Sequence, residues 1–208
     1  MNLRKSFAIL GATVALLALG AQPMLAIGGL RSASPSAVEP AAGGYFGADL
    51  DSNAFPSNAF SGWPCPDADA ACTQVMNRAY GGGIVEAPKA GYVDKIRLIA
   101  GEPGSVRLFF VKVKPGTKQA KAVKKGPVLN YAGQPDDDLP MAIQTFDIPD
   151  IYVQKGWRLA IKGKNPSLMR CDSGNGSYVY QPGLTVGAAY RAATDTDSCA
   201  ILIKAIYR

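Results

Sequence analysis

The side chains able to do chemistry in this chain are few, and the missing ones narrow the field first. There is no histidine, which removes the commonest general base and the commonest metal ligand. Ser-His-Asp and Cys-His arrangements are therefore impossible within the chain. Ser-Lys catalysis would need a Ser-x-x-Lys spacing, and none occurs. Paired carboxylates remain, as in glycoside hydrolysis. The only glutamates are Glu39, Glu86 and Glu102. Glu39 lies in a Gly/Ala/Ser/Pro-rich stretch and Glu102 precedes a Pro-Gly turn. Asp94, in YVDKI, and Asp147, in TFDIPD, fall in or beside strand-like runs and could face a cleft. The plainer reading is outward-facing strand acids, so no catalytic residue is assigned. Asp136, Asp137 and Asp138 run consecutively, and Asp195 alternates with Asp197. Calcium wants about six to eight oxygens. Consecutive acids cannot all point at one ion, and neither loop has EF-hand spacing. They read as solvated acidic turns, with no metal or cofactor expected.

Aromatics and lysines are the stronger signals, and both concern binding. Tyr178 and Tyr180 sit two apart in SYVYQ, which puts them on one face of a strand. With Trp157 and Tyr190 they form a candidate sugar-stacking platform if that face is open. If it is closed, the same four rings fill a core or an inter-strand seam. Lys112, Lys114, Lys118, Lys121, Lys124 and Lys125 crowd one short stretch with no acid among them. One reading is an anion-facing edge for acidic glycans, teichoic acids or phosphorylated lipid heads. The other is a solvated hairpin whose lysines deter edge-to-edge pairing. The stretch has no interleaved aromatics, so nucleic acid is not the expected partner.

The elements that must position these residues begin with an export signal. Arg4 and Lys5 precede an uncharged run, Phe7 to Gly20, followed by AQPMLA. That is the pattern of a cleaved signal peptide over residues 1–26, cut after Ala26 or after Ala21. The run is too short for a spanning helix, which needs roughly 20 residues, and no later run is long enough. Removing Arg4 and Lys5 from the 22 basic residues leaves 20 against 16 acidic ones. The expected destination is secreted or extracellular, or periplasmic if the host has an outer membrane.

Four cysteines in an exported chain read as two disulfides. Of the three possible pairings, Cys65–Cys72 with Cys171–Cys199 is favoured. The first pair closes a short loop, and the second is flanked by strand-like sequence. A four-thiolate metal site would need paired CxxC spacings that are absent.

Residues 27–62 are rich in Gly, Ala, Ser and Pro without a sustained period, which predicts a flexible leader. SNAF occurs twice within it. The leader's Phe55 and Phe60 are expected to tuck onto the protein's own sandwich rather than dock on a partner. Residues 63–80 form a disulfide-closed pre-domain segment, in which DADAACTQVMNRA reads as a short helix capped by Asp67 or Asp69. From Gly81 to Arg208 the sequence is punctuated β. SVRLFFVKVK has bulk on both faces and reads as a central strand, and Lys155-Gly156 reads as a hairpin turn between IYVQ and WRLAI. LTVGAAY is a further candidate among about ten short strands separated by Gly or Pro, which predicts an all-β antiparallel sandwich.

GGIVEAPKAGYVDKIRLIAGEPGSVRLFFVKV, FDIPDIYVQKGWRLAIKG and the cysteine pair ahead of ILIKAIY resemble a class of secreted bacterial jelly-roll modules. Such modules carry a V..Gd.i.l pattern where this chain has Val153 to Ile161. Trp157 stands in place of the usual acidic or small residue. The resemblance covers Gly82 to Arg208 and implies a jelly-roll fold, but its turn-and-strand motifs assign no chemistry. The expected function is a secreted non-enzymatic binding or structural protein for glycans or cell-surface polymers. The alternatives are a carbohydrate-active enzyme using aspartates and a fibre subunit that lends its N-terminal strand to a neighbour.

Overall fold

Apolar side chains on both faces of a strand can be buried only if both faces are covered, and the middle of this chain meets that condition. A computed structural model of the protein describes residues 44–51, 60–61, 65–134, 142–164, 166–171 and 176–208. In chain order the strands are β1 (Tyr45–Gly47), β2 (Phe60–Ser61), β3 (Cys72–Met76), β4 (Gly91–Leu98), β5 (Gly104–Val113), β6 (Gln119–Tyr131) and β7 (Gln144–Val153). They continue as β8 (Trp157–Gly163), β9 (Met169–Cys171), β10 (Ser177–Tyr180), β11 (Arg191–Ala192), β12 (Asp195–Asp197), β13 (Cys199–Ile201) and β14 (Ile203–Tyr207). A single 3₁₀ turn at Tyr80–Gly82 is the one helical element among the described residues.

One sheet has the order β1-β14-β4-β7 and another the order β11-β6-β5-β8-β3-β10-β12, with β13-β9-β2 as a small third. Every strand ladder is antiparallel. The chain crosses repeatedly between the two large sheets. β1, β4, β7 and β14 fall in one; β3, β5, β6 and β8 fall in the other. The resulting strand orders, β1-β14-β4-β7 opposite β3-β8-β5-β6, are those of a jelly roll. The excursion between β8 and β14 adds β10 and β12 beside β3, and β11 beside β6.

β5 is central, paired to β6 and β8. Its Leu108 and Phe110 enter the core between the sheets with Leu159 from β8, meeting Phe46, Ile96 and Ile203 from the four-stranded sheet. Its Phe109 and Val111 face the other way, into a second cluster with Ala160, Tyr180 and Leu184. The segment after β10 supplies Leu184 to that outer cluster, so both faces of β5 are dry.

Both favoured disulfides are present, with Cα separations of 5.5 Å for Cys65–Cys72 and 3.8 Å for Cys171–Cys199. The second pair consists of directly opposed residues on β9 and β13. No cysteine is free. No helix among the described residues is long and apolar enough to cross a membrane.

Several expectations need correction. The sandwich does not begin at Gly81. β1, within the expected leader, is an edge strand whose Phe46 is fully buried, and Ala48 and Leu50 behind it are buried too. Gly47 makes this possible. Its φ is 115°, and a Cβ there would collide with the Ile203 carbonyl and Lys204 Cα. The expected helix in residues 67–79 is a turn followed by β3, an interior strand between β8 and β10. All five of its side chains are buried; ladder pairing on both sides outweighs the local helical signal. The Asp67 carboxylate accepts the Asp69 N–H at 3.0 Å within that turn instead of capping a helix. Lys155-Gly156 joins no hairpin, because β7 pairs with β4 while β8 pairs with β5 and β3. LTVGAAY forms only an isolated bridge, Ala122 to Val186. Asp195–Asp197 is a strand, β12, instead of a turn. The export signal, Phe55 and Asp136–Asp138 lie outside the described residues.

Candidate ligand-binding groove

The longest hairpin carries the lysine cluster and ends in a braced turn. The Lys114 N–H donates to the Gln119 carbonyl at 2.8 Å, and the Thr117 hydroxyl donates to the Lys114 carbonyl at 2.9 Å. The Gln119 N–H donates back to the Thr117 hydroxyl at 3.1 Å. The far side is held by β10. Tyr180, fully buried, donates its hydroxyl to the Lys118 carbonyl at 2.8 Å, and burial raises its phenol well above the ordinary range. The Ala193 N–H shares that carbonyl at 3.0 Å, and the Lys118 ammonium donates to the Thr196 hydroxyl at 2.9 Å. These bonds fix the turn against β10 and β12, so the lysines project from a rigid support.

Between this turn and β8 runs an open groove of about 510 Å³, lined by Lys114, Thr117, Lys118, Tyr178, Arg158 and Glu86 among others. Arg158 sits at register position with Val111 of β5, and Glu86 bridges to it from the loop before β4. Its Nε and Nη2 donate to Glu86 Oε1 at 3.1 and 2.8 Å, and its Nη1 donates to Asn77 Oδ1 at 3.1 Å. The arginine side chain is 17% exposed against 50% for the glutamate. A fixed guanidinium, a half-buried tyrosine ring and two lysines on the rim can hold a sugar ring and an anionic substituent together.

The four expected platform aromatics do not share one open face. Trp157 packs on the core between the sheets, and Tyr180 is closed inside the outer cluster. Tyr178 lies over the same outer cluster and lines the groove. Tyr190 lies on the segment beyond β10, under the Lys121 ammonium at 5.0 Å. One of the four therefore reaches the groove. An exposed aromatic pair does exist elsewhere: Tyr92 and Tyr152, opposite each other on β4 and β7, with ring centroids 5.3 Å apart.

Asp94 and Asp147 do not line this groove. Asp147 is 83% exposed and pairs with Lys95 at 2.7 Å; that hydrogen bond raises the Lys95 ammonium above its usual value. Asp195 and Asp197 do not converge either. Asp195 Oδ1 accepts the Thr196 N–H at 2.7 Å, and Asp197 Oδ1 accepts the Cys199 N–H at 2.9 Å. Cys171, Asp197 and Cys199 cluster within 4.8 Å, but both sulfurs are spent in the disulfide and offer no thiolate.

Sequence reasoning singled out Tyr178 and the lysines, and missed Arg158 and the pairing of Glu86 with it. Strand alternation puts Arg158 opposite the core-facing Leu159 and Trp157. Nothing local indicates that its partner lies 72 residues earlier. Comparison of the chain with protein-family models, with curated proteins and with solved structures finds no match.

Proposed function

We propose that the protein is an exported, non-enzymatic extracellular protein that binds a glycan or another cell-surface polymer along this groove. The observation that carries the reading is Arg158, held by Glu86 and Asn77 in a groove that Tyr178, Lys114 and Lys118 also line. An open groove suits a polymer, which must enter from the side and run past the site. Among the described residues Glu86 is the single carboxylate on its lining, whereas two-carboxylate hydrolysis needs a second acid across the scissile bond. Two disulfides are in keeping with an oxidising destination, as is the basic and apolar start of the chain.

The test is a screen of the mature protein against cell-wall and capsular polysaccharides, repeated with Arg158→Ala and Tyr178→Ala. Each variant should bind a ligand found in the screen at least about tenfold more weakly, the loss expected for a central anchor. Undiminished binding by both variants would place the ligand elsewhere. Asp94→Asn and Asp147→Asn should leave binding unchanged.

A further inference from the structure

The basic residues are distributed unevenly over the strands of the two large sheets. The strands of the seven-stranded sheet carry Arg107, Lys112, Lys121, Lys124, Lys125, Arg158, Lys162 and Arg191 against Asp195 and Asp197. Asp197 is itself buried. The strands of the four-stranded sheet are balanced, with Lys95, Arg97 and Lys204 against Asp94, Asp147 and Asp150. The groove is built on the basic sheet, through Arg158 and Tyr178, and its hairpin turn adds Lys114 and Lys118. A field of one sign over a groove concentrates oppositely charged ligands there.

Within the groove Glu86 occupies the one strong anion-binding group. Both its bonds from Arg158 end on the same oxygen, Oε1. The glutamate is half exposed, while Asn77 holds the guanidinium from the other side. The arginine would thus keep its place if Glu86 swung away. A carboxylate arriving on a ligand can make the two-pronged contact that Glu86 makes only through one atom.

We infer that the groove selects an acidic polysaccharide, whose carboxylates compete with Glu86 for Arg158 while Lys114 and Lys118 hold the neighbouring units. This rests on the binding reading above and adds the ligand's charge to it. Glu86 is then an internal competitor: it occupies Arg158 until a ligand carboxylate displaces it, and so sets a threshold that neutral sugars have no means to overcome.

The probes are polygalacturonate, its fully methyl-esterified form, which keeps the backbone and loses the charge, and dextran, titrated calorimetrically with the mature protein at low and high salt. Polygalacturonate should bind, with an affinity that falls as salt rises, and the ester at least about tenfold more weakly, a difference of roughly 1.4 kcal/mol. Lys114→Ala and Lys118→Ala should each weaken binding roughly threefold, as exposed charges do. Glu86→Gln, which keeps the acceptor oxygen and removes the charge, should strengthen it, with thermal unfolding confirming an intact fold in each variant. Equal binding of acid and ester, or weaker binding by a folded Glu86→Gln variant, would overturn the inference and leave the polymer-binding reading standing. Failure to bind polygalacturonate while dextran or the screened neutral polymers bind at the groove would do the same. Failure to bind any polymer in either experiment would overturn both.

Discussion

Asp197 is only 5% exposed, and its two carboxylate oxygens fare differently. Oδ1 accepts the Cys199 N–H, whereas Oδ2 has no hydrogen-bond partner among the described residues. Burial therefore raises its carboxyl above the ordinary 3.8, with the Cys199 N–H opposing and Asp195 adding to the rise. A raised carboxyl means that the folded state binds the proton more tightly than the unfolded state does. The group's contribution is then most favourable below about 3.8 and is lost as pH climbs through the raised value. Asp197→Asn keeps an acceptor for Cys199 and removes the charge. At pH 7 it should melt roughly 2–4 °C higher than the wild type, a shift worth about 1 kcal/mol in a chain of this size. At pH 3.5 the difference should vanish. A variant less stable than the wild type at pH 7 would show that the charged form is needed where it sits. Lys204 illustrates the opposite solution on the other sheet. Its side chain is 3% exposed, pairs with Asp51 at 2.6 Å and lies over the Tyr45 ring at 4.1 Å. It thereby fastens the stretch after β1 onto β14.

Strands as short as β9, β12 and β13, three residues each, bury little surface of their own and depend on what ties them down. The Cys171–Cys199 bridge joins β9 to β13 across a span of 28 residues, and Cys65–Cys72 closes only 7. On the chain-entropy model the longer closure contributes about 3.6 kcal/mol and the shorter about 2.5 kcal/mol. Replacing Cys171 and Cys199 together by Ser should therefore cost more than the matching double change at Cys65 and Cys72, as measured by denaturant unfolding. The reverse order would mean that Cys65 and Cys72 matter through packing against Val179 more than through closure. The β5–β6 hairpin needs no such tie. It is braced by its own turn and by the buried Tyr180 hydroxyl, and its register shifts twice along the pair. Such bulges bend a long hairpin and re-aim its side chains.

The molecule as a whole begins earlier than its composition suggests. A chain starting at Pro40, where the compact unit starts, should unfold cooperatively by circular dichroism. A chain starting at Gly81 should not, because it lacks β1 and β3. Without β3, β8 and β10 lose the strand between them, and without Phe46 the inter-sheet core has a hole beside Phe110, whose ring centroid lies 6.4 Å away. Cooperative melting of the shorter chain at the same temperature would show both strands to be dispensable.

The residues themselves determined the β character and the two-faced burial of SVRLFFVKV, and they favoured the disulfide pairing that forms. Each rests on properties a segment carries with it: alternation of apolar side chains, turn-forming Gly and Pro, and spacing of cysteines. ILIKAIY, by contrast, is divided between β13 and β14, which lie in different sheets. The tertiary structure alone decided which strands pair. CTQVM has no alternation to advertise a strand, since its polar Thr73 and Gln74 are buried along with Val75. It became one because β8 and β10 offer hydrogen bonds on both sides. Likewise YFG became an edge strand through the ladder that β14 extends to it. The groove was beyond local reading for the same reason. Glu86, Lys114, Arg158 and Tyr178 come from four separate segments, and they meet only because the chain alternates between two sheets before closing. Periodicity shows which face of a strand is buried, whereas a site depends on which strands become neighbours, and that is settled by the packing of the whole core.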